Sequence, residues 1–127
     1  MSIRFSNRDH LKFYETCMAK SRVRDAYHQA LFYTMGISPD ARRCVSTWFD
    51  FTSDQIKSEA LEQGWQTGGS ARLTRLAFNL WNGFDDGHST PYDLFDCGYA
   101  EFMLEGIKLR YPEFCHALDV PQEEPEL

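Results

Sequence analysis

The stretch GWQTGGSARLTRLAFNLWNG, from Gly64 to Gly83, gathers the residues best suited to chemistry. Gln66, Thr67, Gly68, Gly69 and Ser70 make a polar, glycine-rich turn ahead of a helical pattern. Free backbone N–H groups and the positive end of a helix dipole favour an anion there. Arg72 and Arg75 add two permanent cations, and Asn79 and Asn82 continue their row at helical spacing, so the four side chains share one polar stripe. Asparagine is a poor helix-interior residue because its amide competes for backbone hydrogen bonds, and a pair of them on one stripe suggests dedicated hydrogen bonding. The candidate ligand- or partner-binding set is therefore Gln66, Thr67, Ser70, Arg72, Arg75, Asn79 and Asn82. Together they could hold a phosphate, a carboxylate or an acidic side chain of a partner.

The same residues have a plainer reading, in which Gly68 and Gly69 permit a tight turn, Ser70 caps the helix, and the arginines pair internally with Asp93, Asp96, Glu101 or Glu105. An arginine close to a helix N-terminus opposes the macrodipole, which argues for a compensating partner of some kind. The familiar phosphate motifs do not match. No lysine follows Gly69 as a P-loop requires, and there is no GxGxxG turn preceded by a strand. Simple anion binding stays open.

Other constellations are weaker. Cys115 and His116 are adjacent and so point in different directions on a helix, while His10, His28 and His88 have no ligand spacing. DDGHS, Asp85 to Ser89, lacks the oxygen ligands and closing Glu of a calcium loop. Glu101 and Glu105 lie one helical turn apart, which suits acid–base chemistry or, more plainly, a solvated face or an arginine partner. Neither GxSxG nor HExxH occurs. No catalytic residue, metal ligand or cofactor is expected on these grounds, and a non-enzymatic role is favoured.

The elements that must position the stripe are nearly all helical. One helix is expected from about Asn7 to Lys20 with Asn7 as its cap, and a second carries Val23, Ala26, Tyr27, Ala30, Leu31 and Thr34 on one face and ends at Gly36. Ser38, Pro39 and Asp40 start a short third helix. STWFDF alternates imperfectly and reads as a buried connector, after which Thr52 and Gln55 match a capping box that would open a helix to about Gln63, with Gly64 as its stop. Ser70 is the expected cap of the next helix, whose Leu73, Leu76, Ala77, Leu80 and Trp81 follow the spacing of a buried face up to Asn82 and Gly83. Thr90, Pro91 and Asp93 begin a last helical region that reaches Tyr111, broken near Gly98, with Gly106 allowing close approach of another helix. The fold class expected is all-α, a single domain of five to six helices with short connectors over residues 1–118. DVPQEEPEL, Asp119 to Leu127, reads as an acidic, disordered tail.

Composition bounds the function. Of 127 residues, 43% are hydrophobic and 15% aromatic, enough to build a core without disulfide or metal staples. Nineteen acidic against thirteen basic residues leave a net charge of −6, which disfavours indiscriminate binding to nucleic acid. The aromatics of TWFDF and LWNGF could stack bases, but core packing is the simpler use for them. Four scattered cysteines without a CxxC pair, and an N-terminus lacking the apolar core of a signal peptide, point to reduced thiols in a cytoplasm. No apolar run approaches the roughly 20 residues of a membrane span.

DAYHQALFYTMGI, WFDF, GWQTGGSARLTRLAFNLWNG, STPYDLFDC and GIKLRYPEFC together resemble a family of small bacterial proteins of unknown function found in mobile elements. The likeness runs from Asp25 to Cys115 and is most specific in the central segment. It implies no catalytic residue; its setting implies an accessory protein, with interference in a host defence system through protein binding as one such role. The expected function is thus a non-catalytic interaction protein with a protein partner. A small-anion or nucleotide binder using the Gly-rich turn and the Arg72/Arg75 stripe is the alternative. Neither nucleic acid nor membrane is expected as partner, and a homo-oligomer is compatible with the sequence.

Overall fold

The computed structural model describes residues 3–115, so the acidic segment at Asp119 to Leu127 and His116 lie outside the described residues. The fold is predominantly α-helical. Its organising element is α2 (Ala26–Gly36), in which every residue from Ala30 to Gly36 is buried. A helix apolar on all sides must be surrounded, and α2 packs against α1 (Arg8–Lys20), α4 (Gly68–Asn82) and α6 (Ala100–Arg110). Short α3 (Pro39–Arg43) and α5 (Pro91–Leu94) complete six helices among the described residues.

Local capping chemistry sets most of the boundaries. Asn7 caps α1, Asp25 caps α2 and Ser38 caps α3, each side chain accepting the backbone N–H three residues on. Thr90 and Asp93 form a reciprocal capping box on α5, with Pro91 in the first turn. The last helical region is indeed interrupted, as α5 stops at Leu94 and α6 begins at Ala100. Gly106 does allow close approach: a Cβ there would lie 2.3 Å from the Thr34 hydroxyl of α2.

Three expectations need correction. The second helix begins at Ala26, leaving Val23 in the preceding loop, and Tyr27 is 43% exposed rather than buried. The helix does end at Gly36, with Ile37 as its cap, and the missing side chain there makes room for the rings of His10 and Phe13, both 2.9 Å from where a Cβ would sit. The Thr52–Gln55 helix does not form. Phe49–Asp50 (β1) pairs antiparallel with Gln55–Ile56 (β2), and Ser58–Glu62 is a 3-10 turn. The physical reason is tertiary: Phe49 and Phe51 bury their rings against Phe32, at 5.3 and 5.7 Å between centroids, and a hairpin presents both. Finally, Thr67, not Ser70, is the cap of α4, with Ser70 at the third helical position closing a capping box.

On α4 the expected face is in the core. Leu73, Leu76, Ala77 and Leu80 are buried and Trp81 is partly so, meeting Phe49 edge-to-face at 5.6 Å. Gly83 ends the helix in the left-handed region at φ 81°. Trp48 is fully buried, and its indole N–H donates to the Ala41 carbonyl at 2.9 Å, which joins the hairpin to α3.

Candidate functional site

The sequence stripe separates into three groups along α4. At its N-terminus the Gln66 amide donates to the Ala60 carbonyl and to the Thr74 hydroxyl, both at 3.1 Å, and its Oε1 accepts from the Ser70 hydroxyl at 2.6 Å. Thr67 and Ser70 exchange backbone-to-hydroxyl bonds at 2.7 and 3.1 Å. Gln66, Thr67 and Ser70 are thus joined in one hydrogen-bonded knot that welds the 3-10 turn to α4.

At the other end, the Asn79 amide donates to the Phe84 carbonyl and the Asn82 side-chain oxygen accepts from the Phe84 N–H, each at 3.0 Å. These asparagines fold the chain back after Gly83. Between the two ends lie Arg72 and Arg75, and only these open onto a cleft. Its volume is about 410 Å³, and its lining includes Gly68, Arg72, Arg75, His88 and Asp93.

The cleft is cationic only in part. Arg72 donates through Nε to the Asp93 carbonyl at 3.2 Å and through Nη1 to the Gly68 carbonyl at 3.1 Å. Arg75 donates through Nε to Asp86 at 2.9 Å. Partial burial works against ionisation of Asp86, but the Arg75 guanidinium outweighs it and holds the carboxyl below its ordinary range. Asp93 is held low as well, chiefly by the Thr90 hydroxyl and amide. Among the described residues, Arg72 Nη2 and both Nη groups of Arg75 donate to no protein acceptor. They are the donors left to a guest. Arg75 finds its carboxylate in the loop after α4, whereas Glu101 and Glu105 are engaged by Arg4, the first through the guanidinium and the second through the backbone N–H.

Two further constellations were not foreseen. His28, with its side chain only 4% exposed, places Nδ1 2.7 Å from Asp25 and Nε2 2.8 Å from Asp54. Asp25 carried a local signal, since a carboxylate immediately before a helix start can cap it by accepting the backbone N–H three residues on. Asp54 carried none because the contact is tertiary. The second is an aromatic and cationic cluster at the C-terminus of α6. The Arg110 guanidinium lies 3.8 Å from the Tyr27 ring centroid and 4.6 Å from that of Tyr111, and its Nε donates to the Leu80 carbonyl at 2.9 Å. Phe114, 75% exposed, extends the cluster at 6.5 Å from Tyr111. Exposed Val23 lies four residues before Tyr27.

The thiols offer little. Burial pushes Cys17 up to about 12, so it is no nucleophile at neutral pH. Among the described residues no group of three or more His, Cys, Asp or Glu side chains could hold a metal ion, and no helix is long and apolar enough to cross a membrane.

Comparison with known proteins bears on lineage only. A family model described as "Family of unknown function (DUF6075)" matches residues 1–123. The chain belongs to that family. No curated protein and no solved structure matches it. The DUF6075 match spans all the groups just described, from the His28 cluster to the Arg110 cluster, and assigns a role to none of them.

Proposed function

We propose that this chain is a non-catalytic interaction protein that engages a protein partner through the cluster of Tyr27, Arg110, Tyr111 and Phe114. The observation that carries the reading is an exposed aromatic surface organised around one arginine that has no carboxylate partner among the described residues. Tyrosine, phenylalanine and arginine are enriched at the cores of protein interfaces, the aromatics because they bury large area at small cost in side-chain entropy and arginine because its planar guanidinium both stacks on rings and donates several hydrogen bonds. In its fuller form the proposal makes the chain a cytoplasmic accessory protein of a bacterial mobile element that inhibits or modulates a host defence component. That extension is supported by the sequence resemblance from Asp25 to Cys115 alone.

A second reading is favoured by the cleft at Arg72 and Arg75: a small anion or nucleotide accepted by the three unspent guanidinium donors beside His88. One set of variants separates the two. With a partner isolated by cross-linking and then purified, Phe114→Ser should weaken binding about tenfold or more, while Tyr92→Ser, at an exposed tyrosine outside the cluster, should leave it unchanged. Equal affinity for the wild type and Phe114→Ser would sink the interaction surface. Thermal unfolding with phosphate, sulfate and nucleotides tests the cleft, since a ligand at a hundredfold its Kd adds about 2.7 kcal/mol. A shift seen in the wild type and lost in Arg75→Ala would put the anion reading first.

A further inference from the structure

The pairing of His28 with two carboxylates on opposite sides of its ring has a consequence independent of any binding role. A neutral imidazole has one N–H and one lone pair, and a lone pair cannot face a carboxylate oxygen at hydrogen-bond distance without repulsion. Here Nδ1 meets Asp25 Oδ1 at 2.7 Å and Nε2 meets Asp54 Oδ1 at 2.8 Å. Both nitrogens must therefore donate, and the ring that satisfies both contacts is the imidazolium.

The two carboxylates are not equivalent. Asp25 Oδ1 also accepts the His28 backbone N–H at 2.9 Å as the cap of α2, so it is held whatever the ring does. Asp54 belongs to the turn between β1 and β2, is left-handed at φ 60°, and is 46% exposed, so its carboxylate can return to water. We propose that His28 is the bolt of a pH-controlled latch: the doubly protonated ring holds the β1–β2 turn to α2, and loss of one proton to solvent releases Asp54 and loosens the turn.

Every charged group facing the ring favours the closed form. These are Asp25, the cap of α2, and Asp54 of the turn, while α4 sets the uncharged Trp81 ring edge-on at 4.8 Å and α2 itself adds Phe32 at 6.0 Å. The nearby cations are turned to other rings, Lys20 of α1 to Phe51 and Arg110 of α6 to Tyr27. Burial alone would lower the His28 pKa, and the two carboxylates overcome it and raise the pKa above its ordinary value.

The deciding experiment follows the His28 ring protons by NMR against pH, together with hydrogen-exchange protection factors of the Asp54 and Lys57 amides. These donate to the Asp50 and Trp48 carbonyls at 2.8 and 2.9 Å and so report closure of the turn. The ring should titrate above 6.5, and protection of both amides should fall about tenfold through the same midpoint. The α4 amides should stay protected throughout. Asp54→Asn, which keeps a residue tolerant of the left-handed conformation but removes the charge, should lower the His28 midpoint and leave turn protection low and independent of that titration. A midpoint at or below 6.5, or turn protection unchanged while the ring titrates, would overturn the latch. So would an Asp54→Asn protein whose turn still loses protection in step with His28.

Discussion

His10 on α1 and His28 on α2 are both buried, at 0% and 3% exposure, and both use two ring nitrogens, yet their partners demand opposite charge states. The Ser6 backbone N–H, which can only donate, points at His10 Nδ1 at 3.1 Å, and Nε2 lies 2.7 Å from the Tyr33 carbonyl, which can only accept. This fixes the neutral Nε2–H tautomer. Burial then drives the His10 pKa down to about 4, while the backbone contact to Tyr33 pulls the other way. His28 faces acceptors on both sides and is held charged. Burial alone therefore does not determine a histidine's charge; the partners' capacity to donate or accept does.

The largest expected effect breaks the pair apart by deletion. His10→Ala removes a fully buried ring packed against Phe5 and Tyr33, at 5.0 and 4.5 Å between centroids, and leaves the Tyr33 carbonyl without its donor. It should cost about 3 kcal/mol at neutral pH, measured by denaturant unfolding. His28→Ala should cost less, about 1–2 kcal/mol, because the carboxylates it abandons are 44% and 46% exposed and can be rehydrated. Equal losses would mean that the hydration of the partners is not what separates the two sites.

A pH profile sharpens the contrast. Above 6.5 His10 is neutral whether the chain is folded or not; as pH falls from 6.5 towards about 4 the unfolded chain takes up a proton that the folded chain refuses, so stability drops by up to about 3 kcal/mol and then levels. His28 behaves in reverse. Its raised pKa contributes stability in full below 6.5, and that contribution is lost as pH rises through the folded midpoint. The two limbs should meet in a stability maximum near the ordinary histidine pKa. Monotonic stability from pH 4 to 9 would show that one of the two assignments is reversed.

Legibility in the sequence followed the range of the interaction. The apolar face of α4 could be read because its period and its Gly83 stop are local, and the caps at Asn7, Ser38 and Thr90 could be read for the same reason. Thr52 and Gln55 carried an equally local capping pattern and misled, because Phe49 and Phe51 gain more by burial against Phe32 than a capped helix would gain by its box. Tyr27 fell on the apolar period of α2, yet near the start of the helix it meets the Arg110 side chain instead of the core. In the candidate sites, Asp25 lies three residues from His28 and signals itself as a cap, whereas Asp54 is twenty-six residues away and reaches the ring only through the hairpin. By sequence the internal partners open to Arg75 are Asp93, Asp96, Glu101 and Glu105, but its carboxylate is Asp86, in a loop whose path no spacing foretells.

That last pair extends the comparison of charged contacts to its weakest case. Arg75 and Asp86 are 24% and 29% exposed, and their nitrogen and oxygen approach to 2.9 Å. Unlike His28, neither group is sealed by aromatic rings, so water screens the attraction and competes for both partners. Arg75→Ala should therefore cost only about 0.5–1 kcal/mol in low salt and less as ionic strength rises, read from urea unfolding at two salt concentrations. A salt-insensitive loss of about 2 kcal/mol or more would mean that the guanidinium supports the Asp86 loop through packing, placing Arg75 with His10 among the residues that hold the fold. A small, salt-dependent loss leaves its two unspent Nη groups as the reason for an arginine at that position, since a structural ion pair to Asp86 alone would need only Nε.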